Sequence, residues 1–235
     1  MQLLAIETAT ESCSVALWRE GEVILRSERA AARQHAALLL VQVEEVLAEA
    51  GLQAGALDFI AVGRGPGAFT GVRLGVGVAQ GLAFSLDRPV ITVSTLAALA
   101  QAGFASGAEE VLAVLDARMG EVYWALFRSF DGEHYFSSSG EQLTAVGQLI
   151  VPWTADRRLA LGPGLNAIPD VQARLGLDAT QILTDVLPDA SQIAHLAAKA
   201  AKAGGGIRPE EAQPVYLRNR VADPPPPSGI DSHGS

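Results

Sequence analysis

The chain carries one cysteine, Cys13, in 235 residues, which leaves no partner for an intramolecular disulfide and no thiolate cluster for zinc or iron–sulfur. Between Ser12 and Ser14 in a β-prone run, Cys13 reads as a small core residue. Basic residues are also scarce: 17 Lys and Arg stand against 26 Asp and Glu, for a formal net charge of -9. Such a chain repels phosphate at long range, and no block of Lys and Arg interleaved with aromatics offsets it, which argues against stand-alone nucleic-acid binding. The four histidines, His35, His134, His195 and His233, are far apart and none sits in a His-Glu-x-x-His arrangement, so no metalloprotease site is expected. No apolar run reaches the roughly 18 residues of a bilayer span. The N-terminus opens on a strand-like segment carrying Glu7, not on a basic region with a signal core, so a cytoplasmic address without membrane contact is expected.

What is present is core-forming material, 49% of the residues being hydrophobic. Residues 2–7, 12–18 and 21–28 are β-prone runs, with a turn at Arg19, Glu20 and Gly21, and predict an antiparallel meander. A helix is predicted from Arg33 to Ala50, with Leu39, Leu40, Val43, Val46 and Leu47 at helical spacing and Gly51 as the stop. A strand (58–62), a glycine loop (63–71), a helix (72–86), a strand after Pro89 and a helix from Ser94 and Thr95 come next. A second meander is expected from Val111–Asp116 and Glu121–Phe130, turned at Asp131 and Gly132. A helix near 142–150, a short strand near 158–161 and a helix over 191–203 complete a weaker second half. The expected class is α/β, with half-domains at 1–103 and 104–222. The Pro-rich tail, 223–235, is expected to be extended or flexible.

Gly63, Gly65, Gly67 and Gly71 invite a phosphate-loop reading, but the spacing fits neither common version. A P-loop ends in Gly-Lys-Ser/Thr, whereas this loop ends Thr70-Gly71-Val72; a dinucleotide fingerprint needs glycine where Ala68 stands. Gly75, Gly77 and Gly81 then recur inside the next helix, each costing about 1 kcal/mol relative to alanine. Close backbone packing is the usual compensation. That helix is apolar nearly all round, and the first helix shows Ala37, Leu38 and Val41 on a second face. Either each helix is sandwiched within its own domain, or the pair forms a helical interface with a partner. The partner face is assigned to Leu38, Val41, Gln42 and Glu45 on the first helix and to Val72, Arg73, Gly75, Val76 and Gln80 on the second.

The run Gly65-Pro66-Gly67-Ala68-Phe69-Thr70-Gly71-Val72-Arg73 closely resembles the glycine-loop signature of the TsaB family, also called YeaZ. The likeness continues in Ile6-Glu7-Thr8-Ala9-Thr10, in Asp116-Ala117-Arg118-Met119-Gly120-Glu121-Val122-Tyr123-Trp124 and in Pro214-Val215-Tyr216-Leu217-Arg218. The resemblance implies an ASKHA (actin-like ATPase) fold of two half-domains. It also implies a non-catalytic role beside a TsaD subunit, which transfers a threonylcarbamoyl group to the adenosine next to the tRNA anticodon, and a TsaE ATPase. ATP and a metal then belong to the partner subunits, tRNA is reached only through the complex, and the free chain is expected to self-pair as a homodimer. TsaD keeps a His-x-x-x-His metal pair where this chain has Thr95 and Leu99, so no metal and no catalytic residue is expected.

Glu7, Thr8 and Thr10 stand where ASKHA kinases hold an acidic residue and a phosphate-contacting turn, leaving residual nucleotide contact open. His35 is expected to cap or to face an interface. Asp116 and Arg118 either pair with each other or face the cleft between the halves. The alternative function, a small ASKHA phosphotransferase or nucleotide-binding protein, would use Gly162-Pro163-Gly164 as an adenosine loop, a segment that reads equally well as a plain turn.

Overall fold

The computed structural model describes residues 1–30, 34–129 and 135–218. The expected 131–132 turn, His134, His233 and the tail from 223 lie outside these residues. The first half runs β1 (Gln2–Glu7), β2 (Ser12–Arg19), β3 (Glu22–Ala30), α1 (His35–Glu49), β4 (Phe59–Gly63), α2 (Phe69–Leu86), β5 (Val90–Val93) and α3 (Thr95–Ala105). Its sheet has the order β3-β2-β1-β4-β5, antiparallel through β1, β2 and β3 and parallel through β1, β4 and β5. Strand alternation divides the side chains between two layers. Leu4, Ile6, Val15, Leu17, Ile60 and Val62 meet Leu39, Val43 and Val46 of α1 and Val72, Val76 and Ala79 of α2 on one face. Leu3, Ala5, Ala16, Trp18 and Ala61 fill the other. Both faces are covered, which is why β1 and β4 read as continuous apolar runs.

The second half repeats the plan with β6 (Glu110–Arg118), β7 (Glu121–Ser129), β8 (Tyr135–Ser137), β9 (Gln142–Ala145), β10 (Arg158–Leu161), α4 (Val171–Leu175), β11 (Ile182–Leu183) and α5 (Ala190–Lys202). The sheet order is β11-β10-β6-β7-β8, with β9 also paired to β7. Residues 142–150, expected to be helical, instead form β9 and a 3-10 turn at 146–148. Pairing with β7 overrides the local pattern there, and the Trp124 indole N–H donates to Thr144 Oγ1 at 2.9 Å.

The two terminal helices exchange sheets. From the first half, α3 sends Leu96, Leu99, Ala100 and Phe104 against Val111, Ala113, Leu115 and Leu161 of the second sheet. In return α5 sends Ala190, Ile193, Ala194 and Ala197 onto the first sheet. Its start is pinned twice, by Asp189 accepting from Ser191 N at 2.6 Å and by Ala190 N donating to Ser14 Oγ at 2.9 Å. The expected 104–222 half thus gives its last helix to the first.

At 18 residues, α2 starts at Phe69, three residues earlier than expected, and is long and apolar enough by length and composition to cross a membrane. That corrects the expectation that no run reaches this length, although Val72, Gly75, Val76, Ala79 and Ala83 pack against the first core. The glycines around it fall into two groups. Added Cβ atoms at Gly67, Gly71 and Gly75 would overlap Ala9 and the Thr8 carbonyl and hydroxyl oxygens, and one at Gly63 would overlap the Glu7 carboxylate. At Gly77 and Gly81 a Cβ meets nothing within 4 Å.

Glu7 is 1% exposed at the end of β1 and accepts hydrogen bonds from Ala9 N (2.7 Å) and Thr95 Oγ1 (3.0 Å). Burial outweighs these bonds and pushes its carboxyl up to about 7. The folded state therefore holds a proton that the unfolded chain releases near 4.5, so the Glu7 contribution favours folding at low pH and is lost as pH rises towards 7. Over that window the loss amounts to roughly 3 kcal/mol. Urea unfolding of Glu7→Gln across pH 4.5–7 should lack this decline; a slope equal to that of the parent chain would refute the assignment. In the same assay Gly71→Ala should cost about 1–3 kcal/mol through overpacking. By contrast, Gly77→Ala and Gly81→Ala should each stabilise by up to about 1 kcal/mol, and equal effects at all three positions would contradict the two-group reading.

Candidate partner surface and inter-half cleft

Part of the glycine loop is hydrogen-bonded to the protein itself. Arg64 N donates to Val93 O at 2.8 Å, Ala68 N to Ala9 O at 2.7 Å, and Thr8 Oγ1 to the Gly71 carbonyl at 2.8 Å, while Gly65 O accepts from Thr95 N at 3.0 Å. Pro66 is buried, Phe69 and Thr70 are exposed at the start of α2, and Ala68 provides no side-chain cap. Of the three residues considered for nucleotide contact, Glu7 and Thr8 are sealed inside at 1% exposure each, and Thr10 alone reaches the cleft wall. Thr95 is bound to Glu7, and Leu99 lies in the core beneath α3.

The cleft between the halves has a volume of about 650 Å³ and is lined by Thr10, His35, Gly67, Asp116, Arg118 and Tyr123 among others. Both readings of Asp116 and Arg118 hold together. They face the cleft, and they pair with each other: Asp116 Oδ1 accepts from Arg118 N at 2.7 Å, and Oδ2 lies 2.9 Å from the guanidinium. His35 Nε2 is 2.9 Å from the Thr10 carbonyl oxygen, which ties the start of α1 to the β1–β2 turn. Gly162, at φ +115°, and Gly164 press against the Val114 and Leu115 backbone, so Gly162-Pro163-Gly164 is a packed turn with Pro163 at the cleft. Among the described residues no group of three His, Cys, Asp or Glu is placed to hold a metal ion.

On the partner face the structure redistributes the expected residues. Gln42 is fully buried and donates to Cys13 O at 3.1 Å; Val72, Gly75 and Val76 are likewise inside the first core. Gln42 and Gly75 are enclosed, while Val72 and Val76, at 2% exposure each, only border grooves beside α2. Gln80 donates to Ala212 O at 2.9 Å. The Arg73 guanidinium sits 3.8 Å over the Phe69 ring, and its Nε donates to Tyr216 OH at 2.6 Å. Leu38 is half-buried against the first core, leaving Val41 and Glu45 outward. Leu40, Phe69, Phe84, Gly77 and Gly81 are also exposed on α1 and α2, Phe84 at 79%. Counting helical angle away from the Val72–Val76–Ala79 stripe would have found Phe84, Gly77 and Gly81 in the sequence.

Comparison with known proteins bears on the family. Residues 27–203 match the family model of TsaD, described as tRNA N6-adenosine threonylcarbamoyltransferase. The tRNA threonylcarbamoyladenosine biosynthesis protein TsaB of Escherichia coli is 40% identical over 94% of this chain and 96% of its own length. The protein of the same name from Haemophilus influenzae is 40% identical over 94% and 95%. YeaZ from Pseudomonas aeruginosa superposes with a TM-score of 0.83 at 43% identity, over 92% of this chain and 99% of that one. With the glycine-loop signature, the doubled sheet and near full-length identity in agreement, the chain belongs to the TsaB (YeaZ) family.

Proposed function

We propose that this chain is a non-catalytic partner subunit in the formation of threonylcarbamoyladenosine on tRNA, pairing through the outward faces of α1 and α2 with a TsaD-like subunit. The carrying observation is Gly77 and Gly81. The fold itself has no use for them, since a Cβ at either position meets open space and alanine would favour the helix. Their value lies in letting another backbone approach α2, with the exposed Phe84 of α2 and the exposed Val41 and Leu40 of α1 as apolar contacts. In isolation the same face serves a homodimer. A TsaE-like ATPase completes the assembly, and the partners supply ATP chemistry and the metal, because the positions of the TsaD histidines hold Thr95 and Leu99. No cofactor and no catalytic residue is assigned to this chain. The halves act as a framework, residues 1–103 presenting the partner helices and the remainder closing the cleft.

Leu38→Glu would damage the first core, so Val41→Glu and Gly77→Leu are the cleaner probes of the partner face. Titration with the TsaD-like subunit should show affinity falling about 100-fold or more, roughly 3 kcal/mol, with circular dichroism unchanged and melting not lowered. Unaltered affinity in both variants would place the interface elsewhere.

A charge of -9 leaves phosphate recognition to the partner. Gel shifts with tRNA should show no retarded band for this chain alone at micromolar concentration and a salt-sensitive one once the TsaD-like subunit is added. Tight binding by the isolated chain would end this division of labour.

A further inference from the structure

The segment after α5 has no role in the function proposed above, yet it touches both halves and the partner helix. It starts on the edge of the first sheet, where Ile207 and Val90 exchange backbone hydrogen bonds at 2.9 Å in both directions. It then runs along α2: Ala212 is buried against the first core and accepts from Gln80, and Tyr216 packs on Phe69 at 5.5 Å between ring centroids while accepting from Arg73. It ends on the second half, where Arg218 donates to Ala117 O at 3.2 Å and to the Glu121 carboxylate, beside Met119 in the β6–β7 turn.

A second tie runs alongside. Val215 N donates to Arg64 O at 2.9 Å, and the Arg64 guanidinium reaches across to the second half, holding both oxygens of Glu141 at 3.0 and 3.1 Å. Arg64 thus holds the strap by its backbone and the second half by its side chain. A bidentate, part-buried pair is firmer than an ordinary surface ion pair, but each tie is weak singly, so the set holds only while the strap stays seated.

We propose that residues 212–218 form a releasable clasp: seated on α2 through Tyr216, they hold the two halves in one orientation through Arg218 and Arg64. Partner binding on α2 is thereby coupled to the cleft. The groove between α2 and the strap, about 320 Å³, is lined by Arg73, Gly77, Gln80, Pro214 and Tyr216, so whatever covers Gly77 also meets the strap. The coupling to a partner rests on the α1–α2 reading; the clasp itself does not.

Amide hydrogen exchange by mass spectrometry on the full chain separates the two. Tyr216→Ala touches neither Glu121 nor Glu141, yet it should speed exchange at least fivefold in 117–121 and in 141–145. Tyr216→Phe, which keeps the ring, should give a smaller rise. Acceleration confined to 212–218 in Tyr216→Ala would reduce the strap to a local cover and overturn the clasp. Arg218→Ala should reproduce the rise at 117–121, and no change there would equally overturn it. With the TsaD-like subunit added to the parent chain, 117–121 should slow at least fivefold together with α2, and Tyr216→Ala should lose that remote slowing while still binding. Slowing restricted to α2 would refute the coupling. Absence of any binding would instead refute the α1–α2 reading, with the free-chain measurements still judging the clasp.

Discussion

Everything near the glycine loop depends on how closely it and α2 approach the end of β1. The carbonyl oxygens of Thr8 and Ala9 occupy the space that side chains at Gly71 and Gly67 would need, and the Thr8 hydroxyl donates back to Gly71 O. Backbone lies on backbone, so the helix begins immediately after the loop, and loop N–H groups such as those of Arg64 and Ala68 are satisfied by the protein. In a nucleotide-binding loop such donors point at a phosphate. Here at least those two donors point into the protein, and the loop packs as a joint over the buried Glu7 carboxyl, which lies between Ala9, Thr95 and Gly63.

The second half has the same joint in reduced form. Gly162 and Gly164 sit against Val114 and Leu115 at the middle of β6 as the loop glycines sit against the end of β1. This joint leads into a 3-10 turn and the five-residue α4 instead of a long helix. Leu165, Ile168, Leu175 and Leu177 cover the outer face of the sheet in place of two helices. Exchange of α3 and α5 then makes each sheet dependent on a helix from the other half. The rim ties at Arg64 and Arg218 therefore act on an arrangement that the exchanged helices already restrict.

Much of this was legible in the sequence where a single contact determines the pattern. The strands of both meanders, α1 with its stop at Gly51, and the helix starting at Ser94, whose Oγ accepts from Ala97 N at 3.2 Å, are local signals legible to within a few residues. The failures share a cause, since long-range contacts leave no periodic trace. Residues 142–150 have helical spacing, but β7 offers them a ladder. Gln42 has the polarity of a surface residue, but the carbonyl of Cys13 lies in its path. Gly75 and Gly77 look alike in sequence; one meets Thr8 and the other meets nothing.

That last distinction bears on how the outward face of α2 is positioned. The packing of Gly71 and Gly75 onto β1 fixes the axis of α2 and hence the direction in which Gly77, Gly81 and Phe84 face. Rigid presentation of a helix lowers the entropy lost when a partner docks. The formal charge of -9 weakens long-range attraction to phosphate, while α2 keeps Gly77, Gly81 and Phe84 exposed. In the pairing proposed above, the close approach at β1 is the contact that sets where a partner helix would lie, so its loss would misdirect Gly77 and Gly81.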